Sequence, residues 1–438
     1  MNESWFADHA LLPGGPARNV RFDVANGRFV SVAPDATAEG AMRLPGVVLP
    51  GFANCHSHAF HRALRGRTHA DGGTFWTWRR RMYELAARLD PDRYLALARA
   101  IYAELALSGV TAVGEFHYLH HAPDGRAYAD PNVMAEALRQ AAADAGIRLT
   151  VLDTCYLTGG LDADGHRPLD VVQRRFSDGD AAGWADRVAA LREDANTRVG
   201  TAIHSVRAVP RAAFDTVRHV APARPLHVHV SEQVAENEAC RAHYGVTPTA
   251  LLDNSGILTP ATTAVHATHL TGDDVQRLTT SHATVCVCPT TEQDLADGIG
   301  PAGQLAEAGV PLSVGSDQHA VVDLFAETRA VEMHERLASH RRGRFGPAEL
   351  LDMLTRHDRI GWPDAGQLAT GRRADLVAVR LDSVRTAGCE PGQVLFAASA
   401  VDVDTVIVDG HAVVRDGKHE LGDIGALLAT AIEDAWRP

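Results

Sequence analysis

Between residues 47 and 315 the chain alternates two hydrophobic patterns. Short β-branched apolar runs recur at Val47–Cys55, Val110–Phe116, Leu149–Cys155, Val199–His204, Pro225–Val230, Thr263–His266, Thr284–Cys288 and Pro311–Gly315. Between them lie stretches with apolar residues three and four apart, such as Tyr94-Leu-Ala-Leu-Ala-Arg-Ala-Ile-Tyr-Ala-Glu-Leu and Val133-Met-Ala-Glu-Ala-Leu-Arg-Gln-Ala-Ala. The first pattern reads as buried strand and the second as amphipathic helix. Eight strands separated by helices predict a parallel sheet with right-handed crossovers, which closes into a (β/α)₈ barrel of the TIM type. Asp130-Pro131 and Thr247-Pro248 punctuate two predicted helix starts.

The two ends break this rhythm. They hold short strand-like runs and glycine turns, as in Val406-Ile-Val-Asp-Gly-His-Ala-Val-Val-Arg-Asp-Gly. Residues 1–50 and 364–438 are therefore predicted to form one small composite β-sandwich domain with a C-terminal helix, beside a catalytic barrel over 51–363. A chain of 438 residues exceeds what one hydrophobic core usually organises, which agrees with two units.

Composition narrows the function classes. Apolar residues make up 45% and charged ones 22%, ordinary for a globular protein. The net charge of −13, with no basic block, argues against nucleic acid, which needs cations along its phosphates. The N-terminus lacks the basic start and apolar run of a signal peptide, and no stretch approaches ~18 apolar residues, so no membrane partner and a cytoplasmic location are expected. The six cysteines read as reduced thiols, Cys286 and Cys288 as small core residues rather than metal ligands.

Candidate chemistry gathers at the strand ends. His56 and His58, two apart at the end of the first strand, share one face about 6–7 Å apart along the chain and can converge on one ion. The fifth strand offers His227 and His229 on one face, of which one should ligate, with Glu232 at its exit, placed to move protons. The sixth carries His266 and His269. The eighth ends in Gly315-Ser-Asp317, and a carboxylate there is costly to bury unless paired or bound to metal. Each group alone reads as a satisfied core polar residue. Their common address, the C-terminal ends of strands one, five, six and eight, is where barrels keep their active sites.

This set resembles the amidohydrolase superfamily, and Ala365-Gly-Gln-Leu-Ala-Thr-Gly-Arg-Arg-Ala-Asp-Leu resembles that superfamily's return into its small β-domain. No lysine stands at the end of strand four, where two-metal members carry a carboxylated one, which favours one metal. His56-Ser-His-Ala-Phe-His-Arg-Ala-Leu-Arg-Gly, Phe75-Trp-Thr-Trp-Arg-Arg-Arg-Met-Tyr, Glu115-Phe-His-Tyr-Leu-His-His and His204-Ser-Val-Arg-Ala-Val are similar to the formimidoylglutamate deiminases within it.

The resemblance implies that His56, His58, His229 and Asp317 hold one Zn²⁺ per chain, that Glu232, His266 and Asp317 serve catalysis, and that His61, Arg79, Tyr118, His204 and Arg207 line the pocket. It further implies hydrolytic deimination of N-formimino-L-glutamate to N-formyl-L-glutamate and ammonia in histidine degradation, by a homo-oligomer, a dimer. His61 stands where the family often has Gln, and Gln318 follows the aspartate where Ser is usual.

A dicarboxylate substrate must be attracted against the protein's own negative charge, and arginine grips carboxylates through paired hydrogen bonds. Arg207 and one of Arg79, Arg80 and Arg81 are the candidates, the other two being solvated. His117, His120 and His121 are expected at the surface or behind the site. Two competing readings are a deaminase of a purine or pyrimidine ring on the same scaffold, and a metal-free scaffold protein.

Overall fold

The protein is described from a computed structural model, over residues 3–69, 73–220, 222 and 224–437. Eight strands, Phe52–Ser57, Val110–His117, Arg148–Cys155, Thr197–Ser205, Leu226–Val230, Thr262–His266, Thr284–Val287 and Leu312–Val314, pair in chain order, every neighbour parallel. The first and last meet through a bridge between Ser57 and Asp317. There Asp317 N donates to His56 O and His58 N to Asp317 O, both at 2.9 Å. Gly315 permits this closure, since a Cβ would sit 2.7 Å from both the Cβ and the carbonyl oxygen of His56.

Helices cover the barrel. Pro91–Leu107, for example, starts at Asp90, whose side chain accepts from Arg93 N, with Pro91 at the first turn. Cys286 and Cys288 are buried free thiols at the barrel's inner floor, packed with Cys55, Ile360 and Trp362.

The ends of the chain build a second, mixed sheet of eight strands, four from each end. Leu376–Val379 pairs antiparallel with Met42–Pro50, from Leu376 opposite Pro50 to Val379 opposite Val47. That pairing joins the two sheets expected of a sandwich into one. Its core holds Trp5, Phe22, Phe29, Val48, Leu376 and Ile407.

Two placements differ from the periodicity. The apolar run Val47–Cys55 is not one strand: Met42–Pro50 belongs to the small sheet and Phe52–Ser57 to the barrel. The C-terminal helix Ile424–Ala435, grouped from sequence with the small domain, packs on the barrel helix Pro91–Leu107, and Trp436 Nε1 donates to Ala63 O at 2.9 Å.

Candidate active site

Strand geometry delivers the site's side chains to one mouth. His56 lies in the first strand and His58 just past it, both fully or nearly fully buried. Where strands five, six and eight leave the barrel, Ser231, His266 and Asp317 take positive φ angles of 53°, 68° and 43°. Non-glycine residues rarely adopt such angles, and when they do they cluster at functional sites.

Three imidazole nitrogens and a carboxylate converge. His229 Nε2 lies 3.0 Å from His56 Nε2 and 3.4 Å from His58 Nε2, and Asp317 Oδ1 lies 3.5 and 3.4 Å from the same two nitrogens. The hydrogen positions decide what this means. His58 Nδ1 faces Phe116 O at 3.1 Å and His229 Nδ1 faces His204 O at 2.9 Å. A carbonyl can only accept, so both Nδ1 atoms carry the hydrogen and both Nε2 atoms present bare lone pairs to each other. Burial, with the neighbouring imidazoles, pushes the pKa values of His56, His58 and His229 well down, so protonation does not relieve the contact. Lone pairs facing one another at 3.4 Å repel unless a cation stands among them, and this donor set of three neutral imidazoles and a carboxylate fits a divalent metal.

Beside this centre stands His266. Its Nε2 lies 3.8 Å from Glu232 Oε1 and 3.7 Å from Asp317 Oδ2, and its Nδ1 lies 3.5 Å from Glu292 Oε1. Burial opposes charge on His266, but Glu232, Glu292 and Asp317 outweigh it and raise its pKa. For Asp317 burial dominates and pushes the pKa up.

A narrow cavity opens above these groups. His61, Arg79, Tyr118, His204 and Arg207 all line it. His61 Nε2 and the Tyr118 hydroxyl are 2.8 Å apart. Arg207 lies between two carboxylates and bonds to neither, 3.6 Å from Glu232 and 3.8 Å from Glu236. Glu236 is buried with no hydrogen-bond partner among the described residues. Burial lifts its pKa to about 7 against the pull of Arg207.

The other candidates lie elsewhere. Of the three consecutive arginines only Arg79 reaches the cavity; Arg80 and Arg81 are exposed, Arg81 paired with Glu84. His227 Nε2 faces Arg359 O at 3.2 Å, deep in the barrel, and His269 does not line the cavity. His117, His120 and His121 are buried rather than superficial: His120 Nε2 lies 3.0 Å from Thr154 O and His121 Nε2 lies 3.0 Å from Asp178.

Sequence reasoning missed Tyr83, which lines the cavity from the helix Phe75–Ala86, and Tyr156 and Phe176, which line it from the long connection after the third strand. It also missed Glu115, whose carboxylate accepts from Ser57 Oγ and Ala59 N, both at 2.6 Å, and so holds the segment that carries His56 and His58. The Glu115-Phe-His-Tyr stretch was the available signal.

Comparison with known proteins supplies the lineage. Residues 47–413 match the family model described as Amidohydrolase family. The chain belongs to the amidohydrolase family. Residues 4–45 match a second model, "Formimidoylglutamate deiminase HutF, N-terminal domain". A formimidoylglutamate deiminase from Pseudomonas aeruginosa is 39% identical, over 94% of this chain and 95% of its own. Among solved structures of the family, an amidohydrolase from Brucella melitensis is 32% identical with a TM-score of 0.91, covering 99% of this chain and all of that one. An adenosine deaminase from Xanthomonas campestris with bound zinc shares the fold at 24% identity and a TM-score of 0.82, over 98% and 97% of the two chains.

Proposed function

We propose that this chain hydrolyses N-formimino-L-glutamate to N-formyl-L-glutamate and ammonia, a step of histidine degradation. The observation that carries the reading is the pairing of a convergent His56, His58, His229 and Asp317 centre with cationic side chains, Arg79 and Arg207, lining the same cavity. The 39% identical relative bears the name of that activity. Two guanidinium groups lining one cavity suit the two carboxylates of formiminoglutamate better than they suit an uncharged base.

In this reading residues 51–363 form the catalytic barrel, and His56, His58, His229 and Asp317 hold one zinc ion. The chain's one lysine, Lys418, lies in the small sheet, so no carboxylated lysine can bridge a second metal. Zinc bound to such a set lowers the pKa of a water to about 7 and makes a nucleophile available at neutral pH. An attacking water would give up two protons, the first to Asp317 as its oxygen bonds to the formimino carbon and the second from the resulting hydroxyl as the formyl C=O forms. Both would end on the terminal nitrogen, delivered through Glu232, so that the C–N bond breaks and ammonia leaves. His266, held between Glu232 and Asp317, would orient the attacking water or stabilise the negative charge that develops on its oxygen. Arg207 and Arg79 grip the two carboxylates, with His61, Tyr118 and His204 shaping the space between.

The test is ammonia release from formiminoglutamate measured beside guanine and cytosine, on protein of known metal content. Turnover of formiminoglutamate alone, with one zinc per chain, is the expected result. Deamination of either base instead would transfer the chain to the ring deaminases, and an inert, metal-free protein would make it a scaffold. Light scattering tests the homodimer, and fractionation the cytoplasmic location, that accompany this reading.

A further inference from the structure

Gln173 lies in the connection between the third and fourth barrel strands, 2% exposed. Its amide orientation is set by two backbone groups: Oε1 accepts from Asp170 N at 2.9 Å, and Nε2 donates to Gly159 O at 3.1 Å. Gly159 allows that approach, because a Cβ there would come within 2.3 Å of Pro168 O. The same Nε2 lies 3.0 Å from the Tyr83 hydroxyl and 2.9 Å from the Tyr156 hydroxyl.

An amide nitrogen has two hydrogens and accepts nothing. Three acceptors therefore share those hydrogens, and neither phenol can point its own hydrogen at Gln173. Tyr83 accepts a further hydrogen from Arg79 Nε at 2.7 Å, which fills its lone pairs. One phenol can pass its hydrogen to the other, and at least one is then left for the cavity, which Arg79, Tyr83 and Tyr156 all line. Burial, with Tyr156 beside it, pushes the Tyr83 pKa up, so the hydroxyl keeps its hydrogen. Among the described residues no carboxylate pairs with Arg79, whose guanidinium instead lies 5.6 Å from the ring centre of Trp76 and 5.2 Å from that of Tyr83. This end of the cavity offers hydrogens and a charge without an internal anion to take them.

We propose that Gln173 is a positioning residue that keeps the Tyr83 and Tyr156 hydroxyls from donating to it and so leaves at least one of their hydrogens facing the cavity, making with Arg79 a donor-only clamp for one carboxylate of the substrate. The inference deepens the dicarboxylate reading above and rests on it. It adds a residue that touches no substrate atom and acts by limiting where two hydroxyls can donate.

The experiment compares Gln173→Met, Gln173→Glu and Tyr156→Phe in the zinc-loaded enzyme, with kcat and KM for formiminoglutamate and calorimetric binding of glutarate, a dicarboxylate with no reacting group. Gln173→Met releases the phenols, and loss of their aimed hydrogen bonds raises KM and weakens glutarate about ten-fold, with kcat affected much less. Gln173→Glu keeps the shape but accepts both phenolic hydrogens and sets a negative charge beside Arg79, so glutarate weakens about a hundred-fold. A residue that merely packs would give the reverse order, the isosteric glutamate being the milder change. That reverse order, or equal effects on kcat and KM, overturns the inference.

Tyr156→Phe, which removes one oxygen and no backbone partner, covers the case in which the Gln173 variants fail to fold. It should weaken glutarate several-fold, and unchanged binding overturns the clamp. If the unaltered protein bound glutarate but released no ammonia from formiminoglutamate, the substrate assignment would fall while the clamp stood.

Discussion

Two of the imidazole hydrogens at the centre are placed by backbone carbonyls, Phe116 O for His58 and His204 O for His229, so the Nε2 atoms of these two are already turned toward the position proposed for the metal. His227, two residues away on the same strand, spends its Nε2 on Arg359 O. His229→Ala should therefore lose zinc on dialysis and with it turnover, while His227→Ala keeps the metal. Metal content by mass spectrometry separates the two, and zinc loss in the His227 variant alone would reverse the assignment. Glu232→Gln should retain zinc and bind substrate yet lose roughly 10²–10⁴-fold in kcat, the usual contribution of a positioned acid or base. A near-normal kcat would take Glu232 out of the proton path. These residues were legible because a period-two pair or a strand-terminal carboxylate marks itself in one dimension. Tyr83 and Tyr156, which line the cavity, and Gln173 and Glu236, which stand behind it against those tyrosines and Arg207, were not, since each sits on a connection or helix whose position depends on packing far along the chain.

At the scale of elements, the eight strands could be read because each is a short buried run, and their boundaries shifted by only a few residues. Where the reading failed, the cause was a change of partner rather than of conformation. Val47 to Cys55 is extended throughout, but Gly51, where a Cβ would lie 2.4 Å from Thr111 Oγ1, marks the passage from one sheet to the other. Hydrophobic period reports that a residue is buried and not against what. Gly315 is the counterpart at the other end of the barrel. A Cβ there meets the backbone N and O of His56 at 2.8 and 2.7 Å, atoms that cannot swing aside. Gly315→Ala should part strands one and eight, costing about 1–3 kcal/mol as overpacking does and weakening zinc by misplacing His56 and Asp317 together. Urea denaturation and a zinc titration on the same sample test this; lost stability with unchanged zinc affinity would separate the closure from the metal site.

Across the whole molecule the two sheets are pinned by a buried ion pair. Arg148 opens the third barrel strand, and both its terminal nitrogens bond the carboxylate of Asp375, which precedes the strand that returns into the small sheet. Both side chains are 1% exposed, and Asp409, also at 3.1 Å from Arg148, donates its N–H to Asp375. The Gly-Arg-Arg-Ala-Asp-Leu stretch that marked the return in the sequence thus supplies the anion that ties the ends to the barrel. Asp375→Ala takes away the doubly bonded partner and leaves buried Arg148 with Asp409 alone, so it should cost up to about 3–5 kcal/mol, whereas Arg148→Met combined with Asp375→Leu should cost much less. Acid provides an independent check. Burial alone would raise the Asp375 pKa, but Arg148 outweighs it and holds the value below the ordinary range. A carboxylate depressed in the folded state contributes stability that is complete above its unfolded pKa of about 3.9 and is lost as pH falls below that. The unaltered protein should therefore lose stability as pH drops through 4 and below, and the double variant, Arg148→Met with Asp375→Leu, should flatten that slope. Denaturation midpoints from pH 7 to pH 3 measure it, and a double variant whose acid slope matched the unaltered protein would show that other carboxylates, such as Asp153 against Arg187, carry the acid sensitivity instead.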